Sequence, residues 1–365
     1  MFVRLGKTPH MRILDKDAPV LVTGGSGYIA SWLCKFLMEE GYHVRATFRD
    51  RKNAQKFEHL QRIDDEAPGT LEIWEADLLD PTSFDNVIDG CKVVFHVASP
   101  FVIFGAKDPE NTLIKPAVEG TRTVLEAATR SGSVERVVLT SSIYALYGDN
   151  ADILEAPNGK FDERSWNTSS SIHHQPYPYS KRLAEETAWK TSEGQTWDLV
   201  VLNPGFVLGP SLTTRRDSAS IDFMLQMTDG RMKGGVPDVE IGVVDVRDVA
   251  RAHMVAAEKG ETKRRYILVA ETVSFLTIAN YLRAKFSHYP LPKKIAPKWL
   301  FKALGPWIGF TRKYVNRNFG YKVNYDTQPS REELGLEYRS VKDTVNDMLE
   351  EMERQGMTKS KGKKL

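Results

Sequence analysis

Eight residues constrain this chain more than any others: Thr23-Gly24-Gly25-Ser26-Gly27-Tyr28-Ile29-Ala30. They follow the apolar run Pro19-Val20-Leu21-Val22, which reads as a buried strand. They lead into Ser31-Trp32-Leu33-Cys34-Lys35-Phe36-Leu37-Met38, where apolar residues recur at helical spacing. In a strand–glycine turn–helix unit the first glycine makes the tight turn. The next lets backbone N–H groups approach a pyrophosphate at the helix N-terminus. A small third residue, here Ala30, lets helix and strand pack closely. The spacing is Gly-x-x-Gly-x-x-Ala, so the flanking strand and helix carry the reading more than the glycines do. A dinucleotide site is expected at Gly24, Gly27, Tyr28 and Ile29.

The pattern around this turn repeats. Strand-like runs at Val20–Thr23, His43–Phe48, Leu71–Ala76, Val93–Val97, Arg136–Thr140 and Asp198–Leu202 alternate with helix-like stretches. The helical stretches include Tyr28–Glu40, Asn53–Ile63, Ser83–Ile88, Leu113–Thr129 and Ser180–Ser192. Such alternation predicts an α/β fold: a Rossmann-type doubly wound parallel sheet, with ligands at the carboxyl ends of its strands. The expected dinucleotide-binding domain covers residues 18–205, with later sheet elements from about 241–270. A smaller C-terminal substrate-binding lobe is expected from 206–240 and 271–350, with flexible tails at 1–17 and 357–365.

A chain of 365 residues can bury a large core. Its 50 basic and 48 acidic residues are spread along it, which gives no argument for nucleic acid. Two cysteines, Cys34 and Cys91, fit no metal or disulfide framework. With no signal-peptide core at the N-terminus and no run of membrane-spanning length, a cytoplasmic protein is expected. The best apolar stretch, Trp299 to Phe310, is short and broken by Gly305-Pro306. A buried helix is expected there, with a substrate cleft or a membrane surface as alternatives.

Residues just after each strand are the site candidates. The second strand ends at Arg49-Asp50-Arg51-Lys52, where arginine suits the 2′-phosphate of NADP and a carboxylate the 2′-hydroxyl of NAD. Arg49, two following cations and Lys56 favour NADP; the alternative is a solvated basic loop with Asp50 on the ribose. Asp77-Leu78 follow the third strand, where Asp77 either binds the adenine amino group or caps a turn near Pro81. Val97-Ala98-Ser99 follow the fourth and allow close passage beside the nicotinamide ribose.

Hydride chemistry on a carbonyl needs an acid for the oxygen. Tyrosine serves when a cation lowers its pKa, and a lysine four residues on along a helix faces the same way. Tyr177 and Lys181 supply this. Tyr281/Lys285, Tyr289/Lys293 and Tyr338/Lys342 share the spacing, but only Tyr177 lies between the fifth and sixth strands, with Pro178 in a first helical turn. Ser142, after the fifth strand, is the candidate to hold the carbonyl oxygen; Ser141 is expected to point into the sheet or bond to backbone. Tyr144 and Tyr147, with Phe101, Phe104 and Phe206, are candidates for an aromatic substrate wall, against a default of core packing. His173-His174 find no third metal ligand and are expected on a loop surface, so no metal is expected.

With these residues in place the chain resembles the extended short-chain dehydrogenase/reductase family, in its dihydroflavonol reductase-like branch. The similar segments include Gly27-Tyr28-Ile29-Ala30-Ser31-Trp32-Leu33, Phe95-His96-Val97-Ala98-Ser99-Pro100, Ile114-Lys115-Pro116-Ala117-Val118-Glu119-Gly120-Thr121 and Val138-Leu139-Thr140-Ser141-Ser142. The resemblance covers about residues 18 to 260. It implies a Ser-Tyr-Lys triad at Ser142, Tyr177 and Lys181. It also implies NADPH contacts at the glycine turn, Arg49, Lys56, Asp77, Leu78, Val97, Ala98 and Ser99, with Pro204 in the Asn203-Pro204-Gly205 turn beside the nicotinamide. The branch's cinnamoyl-CoA reductases carry Lys-Asn-Trp before the tyrosine; here His174-Gln175-Pro176 stand instead. The run Asp162-Glu163-Arg164-Ser165-Trp166-Asn167 looks more like fungal methylglyoxal and aldehyde reductases. The expected activity is NADPH-dependent reduction of an aldehyde or ketone, with a small-molecule carbonyl as partner and the chain a monomer or homodimer. A sugar-nucleotide epimerase, a hydroxysteroid dehydrogenase and a non-catalytic NADP sensor are the alternatives.

Overall fold

A computed structural model describes residues 15–99 and 108–358, with residues 306–308 described by backbone alone. The first half runs β1 (Val20–Val22), α1 (Tyr28–Glu39), β2 (His43–Phe48), α2 (Glu58–Asp64), β3 (Thr70–Glu75), α3 (Asp85–Ile88), β4 (Val93–His96), α4 (Lys115–Ser131), β5 (Arg136–Thr140), α5 (Pro176–Ser192) and β6 (Asp198–Pro204). Then come β7 (Phe206–Leu208), α6 (Ala219–Thr228), β8 (Glu240–Asp245), α7 (Val246–Lys259), β9 (Arg264–Leu268) and β10 (Glu271–Ser274). The chain closes with α8 (Phe275–Lys285), α9 (Lys298–Ile308), α10 (Arg312–Asn318), α11 (Gln328–Glu332) and α12 (Val341–Arg354).

Seven strands form one parallel sheet in the order β3-β2-β1-β4-β5-β6-β9. The order reverses between β1 and β4, the switch point where ligands bind in such sheets. Strands buried on both faces need apolar residues throughout, and Val137–Leu139 and Leu199–Leu202 supply them. On one face α1 and α7 cover the sheet through Leu33, Leu37, Val249 and Ala252; on the other Val124, Leu125 and Ala188 of α4 and α5 do so.

The expected late sheet elements need a correction. Only β9 joins the main sheet. The run around Ile241–Val246 becomes β8, which pairs with β7 and β10 in a separate three-stranded sheet. Gly205 causes this by letting the chain leave the main sheet after β6. A side chain there would sit 2.4 Å from the Gly242 carbonyl oxygen, so glycine at 205 is what lets the chain pass this close to β8. Around this second sheet, α6, α8 and α12 build another core with Met224, Ile278, Val345 and Met348. Met357, placed by sequence in a tail, is buried in that core. Residues 1–14 and 359–365 of the expected tails lie outside the described residues. Cys34 and Cys91 are free and buried. No helix among the described residues is long and apolar enough to cross a membrane.

Candidate active site

A cleft of about 770 Å³ runs along the carboxyl ends of β1 to β6. At one end lies the glycine turn. Gly24 adopts φ +70°, and a Cβ on it would press to 2.9 Å from Ala98 Cβ. Backbone therefore passes backbone at a distance only glycine permits, the cradle a pyrophosphate needs at the α1 N-terminus. Gly25, not singled out by spacing, is equally tight: its Cβ would meet Ala46 and Phe48 within 3 Å. Thr23 holds the two strand ends together. Its hydroxyl oxygen accepts from the Val97 and Ala98 amides at 3.1 and 3.0 Å and faces His96 Nδ1 at 3.0 Å.

The predicted cofactor residues Gly24, Gly27, Tyr28, Ile29, Arg49, Asp77, Leu78, Val97, Ala98, Ser99 and Pro204 all line this cleft. Lys56 does not; it lies near Asp217, whose carboxyl it helps to lower after the larger effect of Arg215. Asp50, the alternative ribose reader, turns back instead, accepting from the Lys52 amide at 2.9 Å. Asp77 uses one oxygen to accept from the Leu79 amide at 2.9 Å, so it caps the following turn from within the cleft. Tyr28 donates its hydroxyl to the Gly209 carbonyl, and Trp32 Nε1 donates to Pro210 at 2.8 Å. The start of α1 is thereby bolted to the loop after β7. From that loop Arg215 reaches the Ser26 carbonyl at 3.1 Å and adds a second cation to the cleft that Arg49 also lines. Arg215 had no sequence signal, because nothing periodic ties residue 215 to residue 26.

At the other end stand Ser142, Tyr177 and Lys181, all less than 9 % exposed and all lining the cleft. Ser142 lies two residues past β5, where its Oγ accepts from the Tyr144 amide at 3.2 Å. Ser141, expected to point into the sheet or bond to backbone, donates instead to the Glu185 side chain, at 2.5 Å from Oε2. Gln175 in left-handed backbone (φ 60°) starts α5, held by its side-chain amide on the Gly148 carbonyl at 2.8 Å. Pro176 follows in the first turn and Tyr177 faces the cleft. Four residues on, Lys181 Nζ donates to Ser99 Oγ at 3.1 Å, joining the end of β4 to α5.

The electrostatics correct one expectation. Burial, with Tyr144 adding to it, holds the Tyr177 hydroxyl well above the ordinary phenol value, where a lowered one was expected. Burial pushes Lys181 down to about 8, opposed by the Glu185 carboxylate one turn further on. The Tyr144 ring meets the Tyr177 ring edge-on at 6.0 Å. Tyr147 stacks on Phe161 at 4.3 Å, so it divides its faces between core and cleft. Phe206 lines the cleft; Phe101 and Phe104 lie outside the described residues.

His174 is not on a loop surface. It is buried, with Nε2 2.8 Å from Asp149 Oδ2. Burial works to raise the Asp149 carboxyl, but hydrogen bonds from His174, Asn318 and Arg317 outweigh it and hold the group below its usual range. A carboxylate with no exposed surface needs that many donors, which fixes His174 inside. His173 beside it is exposed, and no group of metal-ligating side chains occurs among the described residues. The look-alike pairs are occupied elsewhere: Lys285 pairs with Glu350, Tyr289 donates to Glu353, and Tyr338 donates to Ser330.

Known proteins share this architecture. A cinnamoyl-CoA reductase of Medicago truncatula is 36% identical over 338 residues, 91% of this chain and 95% of that protein. An anthocyanidin reductase of Vitis vinifera is 37% identical, over 84% of this chain and 91% of its own length. Among solved structures, yeast methylglyoxal/isovaleraldehyde reductase complexed with NADPH superposes with a TM-score of 0.75 at 26% identity, covering 93% of this chain and 99% of that one. Residues 20–269, from β1 through β9, match the model of the NAD dependent epimerase/dehydratase family, and the chain belongs to that family, the extended short-chain dehydrogenases/reductases.

Proposed function

We propose that the protein is an NADPH-dependent carbonyl reductase acting on a small aldehyde or ketone. The observation that carries this is the convergence of Ser142, Tyr177 and Lys181 at the far end of the same cleft that begins at the glycine turn. NADPH, when bound, supplies the hydride. Tyr177, kept protonated by burial, donates the proton to the carbonyl oxygen. Lys181 offsets the negative charge this leaves on the phenolate, and Ser142 hydrogen-bonds the carbonyl oxygen. The relatives' names support a reductase over an epimerase or a sensor. An epimerase would retain its nicotinamide through purification, visible as cofactor absorbance; this protein is expected to purify without it. A panel of aryl and aliphatic carbonyls, followed by NADPH and NADH oxidation, tests the proposal. No carbonyl-dependent oxidation across the panel overturns it.

Arg49 carries the coenzyme preference in this reading. Arg49→Ala removes a charge-assisted contact to a 2′-phosphate, so KM for NADPH rises by roughly 10- to 100-fold while KM for NADH stays level. Steady-state titrations with both coenzymes check this; an equal change for both places Arg49 away from the 2′-phosphate.

Lys181 sets the pH dependence. Its folded pKa lies near about 8, below an ordinary lysine, so it is charged below that pH and neutral above it. The charge is needed when Tyr177 gives up its proton. The kcat/KM of reduction is therefore level on the acid side and falls as pH rises through about 8. A profile without that alkaline fall removes Lys181 from the role.

A further inference from the structure

We propose that the α9–α10 face is a docking surface for an anionic lipid bilayer. From Thr272 to Tyr325 the chain contains ten Lys and Arg residues and no Asp or Glu, although acids and bases balance over the whole sequence. Within that acid-free stretch, α9 carries apolar side chains on both its inward and its outward side. Its inward side packs Phe301 against Phe310 and Phe319, at ring distances of 5.8 and 5.0 Å. Its outward side carries Trp299, Leu300, Ala303 and Leu304, which helical spacing places on one stripe. Trp299 is 67% exposed and Leu304 46%, and Ile295 just ahead of the helix is 42% exposed. Those three are half of the six large apolar side chains exposed among the described residues, so the exposure is concentrated rather than scattered.

Cations frame the apolar stripe. Lys293 and Lys294 precede α9, and Arg312 and Lys313 open α10, which packs against it. All four are exposed and form no ion pair among the described residues. An apolar helix face in water, ringed by unpaired cations, matches the interface of a bilayer bearing anionic headgroups. The apolar side chains enter the acyl boundary and the cations stay at the phosphate level.

Other occupants fit less well. A second copy docking through this face across a two-fold axis would bring the same unpaired cations, Lys293, Lys294, Arg312 and Lys313, against themselves. The segments outside the described residues, 1–14, 100–107 and 359–365, carry Lys or Arg and no acidic side chain, so they share the surface's sign. A nucleic acid would meet aliphatic side chains where it needs hydrogen-bonding and stacking partners. The face also lies beside the chemistry. Arg317 of α10 pairs with Asp149, which holds His174 three residues before Tyr177. A docked protein would carry the carbonyl end of its cleft next to the lipid.

Co-sedimentation of the full chain with vesicles tests this, using phosphatidylcholine alone and phosphatidylcholine with about one-third phosphatidylserine. Binding is expected only to the anionic vesicles, falling as salt rises from about 0.1 to about 0.5 M. Lys293→Glu with Lys294→Glu should weaken it by roughly fivefold or more per position. Trp299→Ser with Leu304→Ser should weaken it at least about tenfold. NADPH binding, measured by fluorescence quenching, should be unchanged in both pairs and reports that each remains folded. Three results each overturn the proposal: no binding to anionic vesicles at low salt, equal binding by the Trp299/Leu304 variant, or retention on heparin or by an acidic protein without vesicle binding. None of these readings depends on carbonyl turnover, so failure of the docking surface and failure of the reductase assignment are separable.

Discussion

Tyr177→Phe lowers kcat for carbonyl reduction by about 10²- to 10⁴-fold, the range for loss of a positioned general acid. NADPH binding stays nearly intact. The substitution removes one oxygen and keeps the ring, so the edge-on contact with Tyr144 at 6.0 Å survives. Single-turnover oxidation of bound NADPH by an excess of aldehyde separates the chemical step from binding. Full activity in this variant sinks the assignment. Loss of activity together with loss of NADPH binding would mean that the hydroxyl holds the coenzyme in place rather than serving only the proton transfer.

Glu185→Ala is expected to destabilise the fold by about 3–5 kcal/mol. Glu185 is wholly buried on α5, one turn past Lys181, and every side of its carboxylate is engaged. Arg265 Nε lies 2.6 Å away, Ser141 Oγ donates at 2.5 Å, Asn203 Nδ2 at 2.8 Å and Trp189 Nε1 at 3.1 Å. Removing the carboxylate leaves the Arg265 guanidinium buried against Trp166, 4.2 Å from its ring, with no counter-charge. The cost is that of an uncompensated charge rather than of a lost contact. The urea midpoint measures it, and a midpoint equal to wild type refutes it. The milder Glu185→Gln has a second reading. Glu185 raises Lys181 against the effect of burial, so neutralising it moves the alkaline fall in kcat/KM to lower pH. Asn203 also donates to the Ser142 carbonyl at 3.0 Å, so one buried carboxylate steadies both Lys181 and Ser142.

These two residues show the two kinds of legibility. Tyr177 was readable because its signal is local. A proline in a first turn, a lysine four residues on and a place between two strands are all properties of neighbours in sequence. The same spacing at Tyr281, Tyr289 and Tyr338 lacked that place, and the structure gives those tyrosines other work. Glu185 was not singled out, since its importance comes from residues 141, 203 and 265 converging on one point.

The sequence alone determined the parallel sheet, the glycine turn, Arg49 at the end of β2, and Ser142, Tyr177 and Lys181 in one cleft. Each rests on alternation and spacing within a few residues, which backbone geometry converts directly into placement. Tertiary structure decided the rest. It sent β8 into a second sheet, buried His174, and raised Tyr177 where a lowering was expected. It also tied Lys181 to Ser99 across 82 residues, Tyr28 to Gly209 across 181 and Arg215 to Ser26 across 189. Contacts at such separations leave no period in the chain. They exist only because buried polar groups must find partners once the sheet has closed around them.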